Sequence, residues 1–266
     1  MLKIARQTII EQELAKNGSI LISSLSELLD CSEETIRRDL KEMESNGKLT
    51  RTHGGAYLIE KYDKSYPTRL REVYYPEVKA QLAQQAAYYI KENDVIMLDS
   101  STTCLSLAEV LLNKNISVTI ITNSLLICNL CNDRISNINL VCLGGTFRMR
   151  TSSFTGYHAT DILKCYCADK SFISCPKVTL DKGMSDNILN ESRIRENMLE
   201  HSQEKFLLMD HSKFDSNANI LFGSLQDVDV IITDHKLPPE WEEFCRSNQI
   251  KLDYCAGVRD NAVTED

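Results

Sequence analysis

The apolar positions near the start of the chain recur with the spacing of a helix. Ile9, Ile10 and Leu14 fall on one side of a helical wheel. Asn17-Gly18 follows them and is a typical helix stop, because a glycine accepts the left-handed backbone that ends many helices. The apolar residues 20–22 then predict a short strand.

A second helix is expected directly after this strand. The sequence SLSE, from Ser24 to Glu27, matches a capping box, in which Ser24 would be the N-cap and Glu27 would bond back to it. The helix would end near residues 30–31. Three leucines would then face the core, namely Leu25, Leu28 and Leu29.

A third helix is predicted from Ser32, the expected N-cap, to Asn46-Gly47, where it would end. Ile36, Leu40 and Met43 repeat at intervals of four and three residues, so they share one buried face. Two helices joined by a tight turn in this way form a helix-turn-helix pattern.

The segment KLTRTHGGAYLI, residues 48–59, alternates as the two strands of a β-hairpin do. Gly54-Gly55 would supply the two-residue turn that needs positive φ angles. A hairpin that follows the second helix of a helix-turn-helix unit is a wing. We therefore expect a winged helix-turn-helix domain over residues 1–58.

Charge is distributed unevenly over this domain. The chain carries a net charge of −8, yet residues 37–53 hold five basic and three acidic side chains. Isolated arginine pairs are usually solvated surface charges, but here the cap, the turn, the basic helix face and the hairpin agree in order and spacing, which favours DNA binding. The expected DNA-binding residues are Thr35, Arg37, Arg38, Lys41, Ser45, Arg51, His53, Gly54 and Gly55.

Residues 59–76 are charged, rich in tyrosine and without periodicity, so they are interpreted as a linker. From residue 77 onward a helix over 77–91 is followed by short apolar runs that alternate with helical segments. This alternation is typical of an α/β domain with a mainly parallel sheet. The expected fold is a small winged helix-turn-helix domain, 1–58, joined by the linker to a larger α/β effector-sensing domain, 77–266.

Polar clusters follow several of the predicted strands, at the end of the sheet where open α/β folds bind ligands. Hydroxyls and helix-start amides suit an anion, glycines allow close backbone approach, and Arg and Lys suit phosphate. These groups predict a small, phosphorylated and hydroxyl-rich ligand. The candidate residues are Asp99, Ser100, Ser101, Thr102, Thr103, Thr122, Asn123, Ser124, Gly144, Gly145, Arg148 and Lys213.

The segments TIRRDL, residues 35–40, and RTHGGA, residues 51–56, resemble the winged helix-turn-helix signature of DeoR-type bacterial transcription regulators. The later clusters are similar, in the same order, to the sensor domain of that family. The resemblance adds Asp169 and Asp210 to the effector site, and it implies a fold similar to ribose-5-phosphate isomerase and a sugar phosphate effector. Ser101 departs from the glycine that is common in the family.

The resemblance implies a repressor of a carbohydrate-utilisation operon, with operator DNA and a phosphorylated sugar as partners. The alternative is an isomerase that carries a DNA-binding domain, for which Asp99, Asp169 or Asp210 would be the base. We expect a homo-oligomer, dimer or tetramer, because such proteins read two half-sites.

The remaining features of the sequence add no further chemistry. Cys128 and Cys131 form a C-x-x-C without a second pair, which makes a metal site the weaker interpretation. The chain lacks a Walker loop and a dinucleotide fingerprint, so no cofactor is expected. It also lacks a long apolar run, which favours a cytoplasmic protein that does not bind membranes.

Overall fold

A computed structural model describes residues 2–58 and 67–256 of the chain. The chain divides into two compact units, Met1–Pro76 and Glu77–Asp266. No helix in the described ranges is both long and apolar enough to cross a lipid bilayer.

The first unit is a winged helix-turn-helix. Its three short strands form one antiparallel sheet in the order β1-β3-β2. The last two strands make the wing, so the predicted hairpin is present. The elements are α1 (Lys3–Asn17), β1 (Ser19–Leu21), α2 (Ile22–Leu29), α3 (Glu33–Ser45), β2 (Thr50–Arg51), β3 (Gly55–Tyr57) and α4 (Thr68–Glu72).

The core of this unit forms where the helical stripes meet. Ile36, Leu40 and Met43 of α3 are all buried, as their spacing predicts, and pack with Ile10 and Leu14 of α1. Ser32 caps α3 by accepting a hydrogen bond from the backbone amide of Thr35 at 3.4 Å. The face of α3 that carries Arg38 is thereby held away from the core.

The start of α2 differs from the sequence-based expectation. The helix begins at Ile22, so Ser24 lies inside it and is not its N-cap. The buried Ile22 and Leu25 belong to the core, and their burial outweighs the local preference for a cap at Ser24. Leu28 is 58% exposed and does not face the core, whereas Leu29 is buried.

The wing turn also differs. Arg51 pairs with Ala56, and the Thr52 amide donates to the Gly55 carbonyl at 2.8 Å, so His53 and Gly54 occupy the turn. Neither Gly54 nor Gly55 has a positive φ. Gly55 is needed for close packing instead, because a Cβ there would lie 2.1 Å from the carbonyl oxygen of Ile20.

Part of the predicted linker is structured. Residues 59–66 lie outside the described ranges, but α4 falls within the remainder. Leu70 of α4 is buried, and its side chain lies against Gly55 of the wing. This helix therefore packs as part of the first unit.

The second unit is built on a seven-stranded parallel sheet, as the alternation of strands and helices predicted. The strand order is β15-β14-β12-β9-β4-β5-β6. Its strands are β4 (Val95–Leu98), β5 (Val118–Thr122), β6 (Ile138–Cys142), β9 (Ala168–Ile173), β12 (Ser202–Met209), β14 (Val230–Thr233) and β15 (Lys251–Tyr254).

Smaller strands and the helices complete this unit. The two helices that follow β4 and β5 begin at the carboxyl ends of those strands, next to the predicted polar clusters. The helices are α5 (Pro76–Ala87), α6 (Thr102–Lys114), α7 (Leu125–Asn132), α8 (Tyr157–Leu163), α9 (Leu189–Glu200) and α10 (Pro239–Ser247), with 3₁₀ turns at His211–Lys213 and Leu225–Asp227. The small strands are β7 (Thr146–Arg148), β8 (Ser153–Thr155), β10 (Lys177–Thr179), β11 (Gly183–Asp186) and β13 (Ile220–Gly223).

Helices cover both faces of the seven-stranded sheet. Ile96 and Leu98 of β4 face one hydrophobic cluster, which includes Leu107 of α6, whereas Met97 faces the other, which includes Met198 of α9. Alternate residues of one strand thus enter opposite cores. Both cores are apolar, which leaves the strand ends as the place for polar chemistry.

Candidate nucleic-acid interface and effector site

The outer face of α3 presents the polar residues that the helical wheel assigned to DNA. Arg38 has a 79% exposed side chain and lies 3.5 Å from the carboxylate of Glu34. Lys41 and Ser45 are exposed on the same side. The Ser45 hydroxyl donates to the carbonyl of Glu42 at 2.7 Å. Arg38 and Lys41 are thus the cations of this helix that are most open to solvent.

Arg37 and Arg51 have different surroundings. Arg37 donates to the Glu33 carboxylate at 3.0 Å and to the His53 carbonyl in the wing turn at 3.2 Å. Arg51 donates from Nε to the Glu44 carboxylate at 2.7 Å. Both predicted DNA contacts are therefore engaged in bonds within the unit.

The remaining residues predicted for DNA lie at the two ends of this surface. The Thr35 hydroxyl is 3.0 Å from that of Ser32 at the start of α3. His53 is exposed in the wing turn, and its ring meets that of Tyr74 edge to face with centroids 6.4 Å apart. Gly54 lies under the side chain of Val73, where a Cβ would come within 2.9 Å.

The structure brings three of the predicted effector loops together at the carboxyl ends of β4, β5 and β12. These loops are enclosed: apart from His211, Ser212 and Lys213, each loop residue is nearly inaccessible to solvent. Ser101 is the N-cap of α6 and accepts from the Cys104 amide at 3.1 Å. The enclosed loop residues are Asp99, Ser100, Ser101, Thr102, Thr103, Thr122, Asn123, Ser124 and Asp210.

Asp99 lies at the centre of this cluster. One of its carboxylate oxygens accepts from Arg195 Nε at 2.7 Å and from the Ser174 amide at 3.2 Å, and the other accepts from the Ser101 amide at 3.0 Å. Arg195 also bonds Asp186, so one guanidinium joins two buried carboxylates. Burial opposes ionisation of Asp99, but the charge of Arg195 and these hydrogen bonds keep its pKa below the ordinary value.

Glu191 of α9 organises the neighbouring part of the site. Its carboxylate is buried and accepts from Ser153 Oγ at 2.5 Å, from Arg148 Nη1 at 3.1 Å and from Ser100 Oγ at 3.1 Å. Arg148 and Ser153 belong to the β7–β8 hairpin, whereas Ser100 follows β4. One carboxylate therefore ties the hairpin to the loop that precedes α6.

Lys213 reaches the cluster from the 3₁₀ turn after β12. Its ammonium donates to Ser174 Oγ at 2.9 Å and lies 3.3 Å from Asp210. Burial raises the pKa of Asp210, but the charge of Lys213 and the hydrogen bonds from Ser212 outweigh it, so the net pKa is lowered. Since Asp99 also bonds Ser174, the β4 and β12 loops meet at one serine.

The loop after β5 contributes hydrogen-bonding capacity that its neighbours do not use. Thr122 Oγ1 donates to the Leu98 carbonyl at 2.7 Å, and Ser124 caps α7. Asn123 donates to the Phe154 carbonyl at 3.1 Å, but its Oδ1 is buried and has no partner among the described residues. Thr103 Oγ1 is likewise buried and has no hydrogen-bond partner among the described residues. Thr103 lies in the first turn of α6, after β4, and Asn123 lies in the loop after the adjacent strand β5.

Asp169 is not part of this cluster, which corrects the expectation from the family resemblance. It lies at the amino end of β9 and accepts from the Val95 amide at 2.8 Å, so it is at the opposite end of the strands from the cluster. Gly144 and Gly145 follow β6 with φ angles of 63° and 108°. A Cβ on Gly145 would lie 2.8 Å from the Thr155 carbonyl, so this glycine permits packing of the hairpin.

Sequence reasoning missed the residues that hold the cluster together. Glu191 and Arg195 are four residues apart on α9, a spacing that is typical of an exposed helical ion pair. Their burial becomes a prediction only if the apolar Ile194 and Met198 are recognised as sharing their side of the helix. The missed residues are Ser153, Ser174, Asp186, Glu191 and Arg195.

Cys128 and Cys131 lie on α7, and the described residues around them do not supply a set of metal ligands. Burial raises the pKa of Cys128 to about 12, and it also raises the pKa of Cys131. Within the described residues no group of three His, Cys, Asp or Glu side chains is placed to hold a metal ion.

Two family models match the chain. The DeoR-like helix-turn-helix domain matches residues 6–62, and the DeoR C terminal sensor domain matches residues 75–235.

Curated relatives are similar over nearly the full length. The uncharacterized HTH-type transcriptional regulator YulB of Bacillus subtilis is 34% identical over 95% of this chain and 96% of its own. The lactose phosphotransferase system repressor of Lactococcus lactis is 35% identical, and the match covers 88% of this chain and 92% of the relative. The L-fucose operon activator of Escherichia coli is 33% identical, and the match covers 88% of this chain and 96% of the relative.

Among solved structures, ribose 5-phosphate isomerase A from Methanocaldococcus jannaschii aligns with 52% of this chain and 54% of its own. The identity is 18% and the TM-score is 0.38, a distant likeness from which nothing is concluded about activity.

The Arg195 contacts lead to a stability prediction. Arg195→Leu leaves Asp99 and Asp186 buried without their cation, so we expect the free energy of unfolding to fall by about 3–5 kcal/mol. Arg193→Leu is the matched control, because Arg193 is exposed on the same helix and its ion pair with Glu196 is 3.9 Å long. That variant should lose at most about 1 kcal/mol. Urea denaturation at pH 7, followed by circular dichroism, measures both.

The same comparison has a defined pH dependence. Because the pKa of Asp99 is lowered in the folded protein, its stabilising contact is complete above the ordinary aspartate pKa of about 3.9 and is lost as the pH falls below it. The difference between wild type and Arg195→Leu should therefore shrink below about pH 4. Equal stability of the two arginine variants at pH 7 would contradict the role given to Arg195.

Proposed function

Because this chain belongs to the DeoR family of transcription regulators, we propose that it represses a carbohydrate-utilisation operon and that a sugar phosphate modulates its binding to the operator. One relative is by name a repressor of a lactose phosphotransferase system, and another is an activator of an L-fucose operon. Operator DNA, a sugar phosphate and further copies of the chain are its partners in this proposal. Its place of action is the cytoplasm, where the operator is.

The exposed face of α3 supports the DNA-binding part of the proposal. Arg38 and Lys41 lie opposite the buried stripe of the helix and are open to solvent. An arginine on a recognition helix suits bidentate contact with guanine, and a lysine suits phosphate. Regulators with this motif bind as symmetric dimers or higher oligomers, which places two such helices on two half-sites.

One observation carries the sensor part. Two buried polar atoms after the adjacent strands β4 and β5 have no partner among the described residues, namely Thr103 Oγ1 in the first turn of α6 and Asn123 Oδ1 in the loop after β5. Buried polar groups are almost always hydrogen-bonded in folded proteins. A ligand with several hydroxyl groups would satisfy both atoms at once.

The neighbouring groups fit both parts of a sugar phosphate. The amides of Thr102 and Thr103 are the first two of α6 and lack intrahelical partners, and Lys213 lies at the rim. These groups suit a phosphate, whereas the carboxylates of Asp99 and Glu191 suit sugar hydroxyls. The loop residues are enclosed, so binding of the ligand requires part of the cluster to open.

The same geometry argues against an isomerase. A general base works best with a pKa near the pH of the reaction, but the pKa values of Asp99 and Asp210 are both lowered. Asp169, the third candidate base, lies at the amino ends of the strands, away from the cluster. The proposed role of the second unit is therefore binding without turnover.

Arg38→Ala tests the DNA contact. We expect a loss of roughly 1–3 kcal/mol in operator binding, with relaxed specificity at one base pair, because Arg38 faces outward and takes no part in the core. Lys16→Ala removes one exposed charge from α1 and serves as the control. Fluorescence anisotropy with operator and random DNA measures both. An unchanged affinity of Arg38→Ala for both DNAs would exclude Arg38 from the interface.

Lys213→Met tests the sensor site. Wild type should be stabilised by about 2.7 kcal/mol when its sugar phosphate is present at a hundred times the dissociation constant. The variant should lose this shift and the effector response while still binding DNA, since its α3 is unchanged. A melting screen of pentose and hexose phosphates, followed by a gel-shift titration, measures both effects.

Lys91→Met is the control for this experiment. Lys91 is exposed before the amino end of β4, away from the strand-end loops, so its response to the effector should match wild type. A Lys213→Met protein that responds at the wild-type concentration would show that Lys213 is not an anchor.

A further inference from the structure

The wing of the first unit is too small to fix its own position. Its strand β2 contains only Thr50 and Arg51 and lies at the edge of the three-stranded sheet. Its partner β3 is held on the other side by β1, whereas the outer edge of β2 has no strand partner among the described residues. Pairing with β1 therefore fixes the inner strand of the wing, and the outer strand β2 depends on side-chain contacts for its position.

Glu44, in the last turn of α3, makes one such contact. Its Oε1 accepts from the backbone amide of Arg51 at 2.8 Å, and its Oε2 accepts from the Nε of the same residue at 2.7 Å. The hydrogen bond from the Arg51 amide lies on the outer edge of β2. Glu44 therefore holds the backbone of the strand as well as the Arg51 side chain. Hydrogen bonds from the Arg51 backbone and side chain lower the pKa of Glu44, which keeps the carboxylate charged.

Arg37 makes a second contact two helical turns earlier on α3. Its guanidinium donates to the carbonyl of His53 at 3.2 Å, in the turn of the wing, and is held by Glu33 at 3.0 Å. Residues seven apart lie on the same side of a helix. Arg37 and Glu44 thus contact the tip and the base of the wing from one side of α3.

We propose that Glu44 is a positioning residue for DNA recognition, because it clamps the wing to the recognition helix at the orientation that both need to contact DNA together. Arg37 completes the clamp at the tip. This division of roles leaves Arg38 and Lys41 as the direct DNA contacts of α3. The inference rests on the proposed binding to operator DNA.

If Glu44 positions the wing, its removal should change the DNA affinity in the opposite direction to the one that charge repulsion alone predicts. An acidic side chain near DNA repels the phosphates, so its removal ordinarily strengthens binding. If Glu44 positions the wing, its removal weakens binding, because the wing loses its fixed orientation and part of its hold on the phosphates.

Glu34 provides a matched control on the same helix. It is exposed, lies 3.5 Å from Arg38 and makes no contact with the wing in the described structure. Glu34→Ala removes the same charge from α3 and releases a predicted DNA-contacting arginine. It should leave DNA affinity unchanged or raise it.

The experiment measures the affinity of the full-length protein for a DNA fragment that the wild-type protein selects from a random-sequence library. Wild type, Glu44→Ala and Glu34→Ala are compared at several salt concentrations, at a temperature where circular dichroism shows all three to be folded. Glu44→Ala should bind about threefold to tenfold more weakly than wild type. Its salt slope should also be smaller by about one for each phosphate that the displaced wing no longer neutralises.

Both effects are required together. Affinity for Glu44→Ala that equals or exceeds that of wild type overturns the proposal, and so does weaker binding with an unchanged salt slope. In either case wild type still binds the selected DNA, so the proposed function stands. Failure of wild type to select any DNA would instead refute the proposed function.

Discussion

The second unit depends on one buried cation. Arg195 of α9 bonds the carboxylates of Asp99 and Asp186, and all three side chains are almost completely enclosed. Two carboxylates can be held in a dry interior only when a cation compensates them. Through this pair α9 is fixed to the end of β4 and to β11, which positions the neighbouring Glu191 against the β7–β8 hairpin. Arg195 thus holds the loop after β4, whereas Lys213 links the loop after β12 to the same region through Ser174.

The first unit uses a similar device for a different purpose. Asp39, within the motif TIRRDL, is buried and accepts two hydrogen bonds from Arg6 of α1, the shorter being 2.7 Å. This contact orients α3 from behind, so that Arg38 faces outward. Charged residues in one short motif thus differ in their contacts: Asp39 bonds α1, Arg37 bonds the wing turn and Arg38 points outward. Residue type alone does not distinguish the three roles.

Local patterns predict the features that depend on local physics. The buried stripe of α3, its cap at Ser32 and the alternation of strands and helices follow from periodicity and capping chemistry, and the structure has them. The start of α2 at Ile22 does not, because core burial outweighs a favourable cap at Ser24. Only the family resemblance assigns Asp169 to the site, and its place at the start of β9 puts it at the amino end of the strands, away from the ligand-binding end. Glu191 and Arg195 have the spacing of a surface pair, and only tertiary packing buries them.

Hydrogen exchange with and without ligand tests most directly whether the cluster around Asp99 is the effector site. The ligand is the sugar phosphate that raises the melting temperature most in the proposed screen, and the readout is the exchange rate of each backbone amide. Exchange should slow at residues 99–104, 122–124 and 210–213, since a ligand there uses their amides and fixes their loops. Stabilisation of the protein without slower exchange in these three loops would contradict the site.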